Sequence, residues 1–135
     1  RVVDTIVAHA GMRDHVTFHG SVSQEELVAH YQAADVFCCL SDHEGFCVPI
    51  IEAMHHGLPV VAYDCTAVGE TVDGGGLLLR EKNPLTVASA LHRVKKDEHL
   101  ADRLKRAGRR RAINFNRPDT EALFRDRLLP LMESA

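Results

Sequence analysis

Val3, Ile6 and Val7 fall at helical spacing and Gly11 follows as a suitable C-cap, so residues 2–11 are expected to be the last turns of a helix. Val16 to His19 alternates like a strand, and Gly20 ends it. Ser23-Gln24-Glu25-Glu26 fits a capping box, in which the Ser23 hydroxyl and the Glu26 carboxylate each satisfy a free backbone N–H. The helix opened there carries Leu27, Val28 and Tyr31 inward and ends near Ala34. Two apolar runs, Val36 to Leu40 and Val60 to Tyr63, predict buried strands. Between them Pro49 suits a first helical position, and Gly57 with Pro59 is a stop signal, which bounds a short helix over 49–56. Gly74-Gly75-Gly76 predicts a flexible turn before a strand at Leu77 to Leu79. From Pro84 the period becomes helical: Val87, Ala90, Leu91 and Val94 define one helix, Leu100, Leu104 and Ile113 a second, and Leu123 to Leu131 a last one.

Four strands alternating with helices predict an α/β fold, a Rossmann-like, doubly wound parallel sheet with C-terminal helices. The chain has 135 residues, 45% of them hydrophobic, enough for one domain with a core. The helix without a start and the first residue, Arg1, lead us to expect further chain upstream. Formal net charge is −3, and no stretch of about 18 apolar residues occurs, so neither nucleic acid nor a membrane span is indicated globally. Cys38, Cys39, Cys47 and Cys65 sit in or beside apolar segments, which predicts free, buried thiols in a reducing compartment.

The stretch from Ser41 to Met54 carries the candidate chemistry. Strand, loop, helix, strand is one βαβ unit, and its loop lies at the carboxyl end of the sheet, where open α/β sheets bind ligands. A helix start offers free N–H groups and partial positive charge to a phosphate. Gly45 lets backbone approach a ligand and permits unusual φ, and Phe46, Cys47 and Val48 present their amides at the tip. Glu44 stands ahead of this anion site and Glu52 one turn inside the helix, with Ile50, Ala53, Met54 and Gly57 on the opposite, core side. Ionised carboxylates match vicinal hydroxyls, so the order of groups suits sugar, diphosphate and ribose.

Ala34-Asp35-Val36-Phe37, Ser41, Glu44-Gly45-Phe46, Pro49, Glu52-Ala53-Met54 and Gly57 to Ala62 together resemble the donor-domain signature of retaining GT-B glycosyltransferases, the large family-four group. Val16, Phe18, Gly20, Glu26-Leu27 and Tyr31 upstream, and Glu70 and Gly76 downstream, extend the resemblance over about residues 1 to 115. It implies a C-terminal, nucleotide-sugar-binding domain. Glu44 would be the catalytic-site residue holding donor-sugar hydroxyls, Gly45, Phe46, Cys47 and Val48 would bind the sugar and diphosphate through amides, and Glu52 would hold the ribose. The turn at Ser21 and Val22 would contact the nucleobase, largely through backbone. The resemblance also implies no metal or cofactor, a hydroxyl acceptor (glycan, lipid-linked or small molecule) and a cytoplasmic setting, including the inner face of a membrane. Residues 14–79 contain no Lys or Arg, so the cations for a diphosphate, the acceptor-binding N-terminal domain and the first part of the donor domain are expected upstream. The chain alone is expected to be inactive. The alternatives are a non-catalytic nucleotide-sugar-binding module and another GT-B enzyme, such as a nucleotide-sugar epimerase or a phosphorylase.

Other clusters weigh less. Cys38, Cys39, His43, Cys47, His55 and His56 fit no usual zinc spacing, and successive strand residues point to opposite faces. Ser41-Asp42-His43 is contiguous, so it is not a triad assembled by folding. The basic stretch Arg103 to Arg111 lacks stacking aromatics for nucleic acid and suits a solvated helix face or anionic lipid.

Overall fold

The computed structural model describes Val7, residues 9–115 and residues 121–122. Val7 and His9 are helical, and the Met12 N–H donates to the Val7 carbonyl at 3.0 Å with Gly11 at φ +66°, so the expected C-cap is present. Val3, Ile6 and the helix expected over Leu123 to Leu131 lie outside the described residues. Helix α1 spans Gln24–Ala33, strand β1 Phe37–Cys39, helix α2 Val48–His55 and strand β2 Val60–Tyr63. Helix α3 spans Val68–Val72, strand β3 Leu77–Leu79, helix α4 Pro84–Lys96 and helix α5 Glu98–Ile113.

The described strands form one parallel sheet in the order β1-β2-β3, with Cys39 opposite Ala62 and Tyr63 opposite Leu79. β2 is central and buried on both faces. Val60 and Ala62 face a cluster made with Ile50, Ala53 and Met54 of α2, Val68 and Val72 of α3, Ala112 of α5 and Tyr31 of α1. Val61 faces the other cluster, with Leu79, Val87 and Val94 of α4 and Leu100 and Leu104 of α5. Helices on both faces make the sheet doubly wound, as expected.

α1 starts as the sequence predicts: Ser23 Oγ accepts from Glu26 N–H at 3.2 Å and Glu26 Oε2 accepts from Ser23 N–H at 2.8 Å. α2 ends in a paired turn, with Gly57 N–H on the Met54 carbonyl and Leu58 N–H on the Ala53 carbonyl, and Gly57 at φ +76° takes the left-handed position that a side chain disfavours.

Several expectations are corrected. Residues 16–19 join no ladder among the described residues, and Phe18 is half-exposed. Alternation alone does not make a strand without a neighbouring edge to pair with. The sheet therefore has three described strands rather than four. Residues 68–72, for which the sequence pattern predicts no element, form α3. Of the four free cysteines Cys47 alone is buried: Cys38 is exposed on β1, an edge strand among the described ones, and Cys39 and Cys65 are half-buried. Ile113 is exposed rather than core-facing. The glycine turn is a packing junction: a Cβ on Gly75 would stand 2.9 Å from Met54 Cε and from the Val72 carbonyl, and one on Gly108 would stand 3.1 Å from Met54 Cγ and the Gly75 carbonyl. These absent side chains let α5 lie close across α2, its most extensive helix contact.

Candidate functional site

The loop from β1 to α2 is stitched to the segment that follows β2. The Thr66 hydroxyl accepts from Glu44 N–H at 2.9 Å and donates to the Glu44 carbonyl at 2.7 Å. The buried Thr71 of α3 donates its hydroxyl to the Phe46 carbonyl at 2.6 Å. Cys65 Sγ lies 3.1 Å from the Ser41 carbonyl as a donor. Lys82 bonds the Asp42 carboxylate and reaches the Leu40 carbonyl at 3.3 Å, which anchors the start of the loop.

The unusual backbone expected at Gly45 falls two residues later. Cys47, which precedes α2, has φ +63° and ψ +66°. Gly45 keeps an ordinary φ, and a Cβ there would meet nothing within 4 Å, so its face is open. Carbonyls 44, 46 and 47 accept bonds from Thr66, Thr71 and Ile50, whereas among the described residues no protein acceptor takes the amides of Gly45, Phe46, Cys47 or Val48. The loop thus turns its acceptors into the protein and leaves its donors at the start of α2, where the helix dipole favours an anion. Glu44 is half-buried at the head of this row of amides.

Glu52 sits on the outer face of α2, opposite the fully buried Ile50, Ala53 and Met54. Tyr31 donates its hydroxyl to Glu52 Oε2 at 3.0 Å. Burial first, and then the hydrogen bond and charge of Glu52, push the Tyr31 phenol up to about 12. The Tyr31 ring stacks on His56 with centroids 5.4 Å apart and planes 11° from parallel. A cavity of about 210 Å³ opens beside this group, lined by Gln24, Tyr31, Ile51, Glu52, His55, His56, Ala112 and Phe115. Phe46 meets Phe115 edge-on at 5.2 Å, so the amide loop borders that cavity. Burial, and then the neighbouring Cys39 thiol, push the Cys47 thiol up to about 12.

The structure therefore brings Gly45 to Val48 together at one helix start, with Glu44 before them and Glu52 one turn on. Ser21 is exposed and Val22 half-buried ahead of α1, and neither lines the Glu52 cavity. Tyr31 packs in the core cluster as the sequence predicts, but sequence reasoning missed the partner of its hydroxyl, Glu52. It also missed Thr66 and Thr71, whose hydroxyls act from 22 and 25 residues away. Of the thiols and histidines considered for zinc, Cys39 and Cys47 converge, together with Glu44, while Cys38, His43, His55 and His56 do not join them.

Residues 2–111 match the family described as Glycosyl transferases group 1. The chain belongs to that family. Within the group 1 glycosyltransferases, the MMP alpha-(1->4)-mannosyltransferase of Mycolicibacterium hassiacum is 35% identical over 113 residues, which take in 82% of this chain and 28% of the mannosyltransferase. The fold matches that of the sucrose-phosphate synthase from Thermosynechococcus elongatus with a TM-score of 0.81 and 29% identity, over 98% of this chain and 34% of the synthase. It also matches the C-terminal domain of a glycosyl transferase group 1 family protein from Francisella tularensis, with a TM-score of 0.71 and 27% identity over 84% of this chain and 60% of that one. This group 1 glycosyltransferase chain thus spans 28% of the length of that curated relative. No described helix is long and apolar enough to cross a membrane.

Proposed function

We infer that this chain is the C-terminal, donor-binding part of a retaining glycosyltransferase, which moves a sugar from a nucleoside-diphosphate sugar to a hydroxyl acceptor. One observation carries the reading: four successive residues, Gly45 to Val48, hold amides with no described protein acceptor at a helix start, between two carboxylates. In this reading Glu44 accepts hydrogen bonds from donor-sugar hydroxyls and positions the anomeric carbon. The amides and the dipole of α2 take the diphosphate and stabilise it as it leaves, with no metal needed for the step. The bond from the anomeric carbon to the diphosphate oxygen breaks, the carbon passes through an oxocarbenium-like state, and the acceptor oxygen bonds on the same face while its hydroxyl proton passes to the departing diphosphate oxygen. The α linkage in the relative's name supports retention, since an α-configured donor gives an α product in that way. Glu52, oriented by Tyr31, holds the ribose hydroxyls, and the turn at Ser21 and Val22 meets the base. Further chain supplies the acceptor site and the remaining diphosphate cations, so the 135 residues alone are inactive. The exposed arginines of α5, among them Arg103, Arg106 and Arg110, suit an anionic membrane face in the cytoplasm, should the acceptor be lipid-linked.

Calorimetric titration of the full-length protein with UDP-, GDP- and ADP-sugars tests the reading and identifies the donor. Glu44→Gln is expected to lower turnover roughly 100-fold, the scale of losing one preorganised polar contact at a reacting centre. Glu52→Ala is expected chiefly to weaken donor binding. Wild-type kinetics in both variants would end the assignment.

A further inference from the structure

The thiols of Cys39 and Cys47 lie 3.7 Å apart, sulfur to sulfur, and a Glu44 carboxylate oxygen lies within 4.8 Å of both. We propose that Cys39 Sγ, Cys47 Sγ and the Glu44 carboxylate form a binding site for a thiophilic divalent cation of the zinc and cadmium class. We further propose that occupation of this site withdraws Glu44 from the sugar donor.

The dimensions support this. Two thiolates on a tetrahedral zinc at about 2.3 Å each stand about 3.8 Å apart, and a thiolate and a carboxylate oxygen about 3.5 Å apart. The sulfur pair is already at the tetrahedral edge, and the carboxylate needs to close by about 1.3 Å at most. Ser41 Oγ lies 3.7 Å from Cys39 Sγ, placed to donate to the sulfur once it is a thiolate, as outer hydrogen bonds orient metal ligands. The remaining thiols are directed elsewhere: Cys65 toward the Ser41 carbonyl and Cys38 to the exposed side of β1.

The ligands are also held independently of a metal. Cys39 ends β1 in register with Ala62, Thr66 clamps Glu44 on both sides of its backbone, and the Cys47 carbonyl receives the Ile50 N–H at 3.0 Å. Two soft sulfur donors and one carboxylate favour zinc or cadmium over magnesium or calcium, which prefer oxygen. Binding releases one proton from each thiol to solvent and changes no oxidation state. With three protein ligands, the fourth position takes water.

The site stands on the thiols, and only its competition with donor rests on the proposed function. Reduced full-length protein is titrated with Cd²⁺ while the thiolate-to-cadmium charge-transfer band is followed. The band is expected to saturate at a single equivalent, to vanish in Cys39→Ser and in Cys47→Gly, and to persist in Cys38→Ser and Cys65→Ser. Cys47→Gly keeps the left-handed backbone accessible but empties a buried position, so a thermal melt of the variant separates lost ligation from misfolding. Glu44→Gln is expected to keep the band and weaken Cd²⁺ affinity about tenfold. A wild-type band in Cys47→Gly, or its loss in Cys65→Ser, overturns the site. Saturating Zn²⁺ is expected to weaken nucleoside-diphosphate-sugar binding tenfold or more in the wild type and not in Cys39→Ser. Equal donor affinity with and without Zn²⁺ overturns the competition. Failure of the metal-free protein to bind any nucleotide sugar sinks the proposed function and leaves the cadmium result standing.

Discussion

The Tyr31 hydroxyl donates to Glu52 Oε2 at 3.0 Å, which fixes one of the two acids of the candidate donor site from a residue 21 positions upstream. Tyr31→Phe removes the bond and keeps the ring that stacks on His56. Donor affinity is expected to fall by about three- to tenfold, and stability by about 1 kcal/mol, the net worth of a hydrogen bond to a charged group at a partly exposed site. Titration calorimetry and thermal melts measure the two, and an unchanged donor affinity would deny Tyr31 its positioning role.

The same phenol makes stability depend on alkaline pH. Its folded pKa, about 12, lies above the unfolded value of 10.0. The folded state therefore holds the proton more tightly between those values, and the contribution is complete below pH 10 and lost as pH rises toward 12. Melting temperatures taken across that window should decline more steeply in the wild type than in Tyr31→Phe. Parallel curves would show that the phenol is not held in the folded state as described.

At the acid end, the Glu26 carboxylate is held below its usual range, first by the Ser23 backbone N–H and then by the Ser23 hydroxyl. A depressed folded value means that stability present above the unfolded pKa is lost as pH falls through the folded one. Glu26→Gln is expected to flatten that acid slope, read from unfolding midpoints in a pH series. A slope identical to wild type would remove the capping box as its source.

Thr66→Val deletes the hydroxyl that accepts from the Glu44 N–H and donates to its carbonyl. Because Thr66 is exposed, water replaces these partners and the loss of stability should stay under about 1 kcal/mol. Glu44 then loses its fixed placement, so kcat/KM of the full-length enzyme is expected to fall about tenfold with little change in melting temperature. If activity is unaffected, the loop holds its shape without this clamp.

Gly108→Val inserts a side chain where even a Cβ stands 3.1 Å from both Met54 Cγ and the Gly75 carbonyl. Overpacking between α5 and α2 is expected to cost about 1–3 kcal/mol, visible in denaturant unfolding. A neutral result would mean that the two helices do not press together as described.

Where local chemistry decides, the sequence is a sufficient guide. The capping box at Ser23 and Glu26, the stop at Gly57 and the apolar runs of β1, β2 and β3 all form where short-range rules place them. Long-range partners escape such rules. Residues 16–19 alternate correctly, yet a strand also requires a neighbouring edge. α3 is five residues long and too short to display a period. Among candidate-site residues, the grouping of Glu44, Glu52 and the amides between them is legible because a turn precedes a proline-marked helix. Tyr31, Thr66, Thr71 and the facing of Cys39 toward Cys47 become visible only when strand register and helix crossing bring distant positions together.

The stitching of residues 44–46 to Thr66 and Thr71 has an implication for protein engineering. The first loop does not hold its shape alone, because its carbonyls are held from the segment after the neighbouring strand. A chimera that exchanges only residues 41–48 with another family member would separate a clasp from its catch. Swapping 41–48 and 65–71 as one cassette keeps the two parts matched, which makes the pair, not the single loop, the portable unit of this domain.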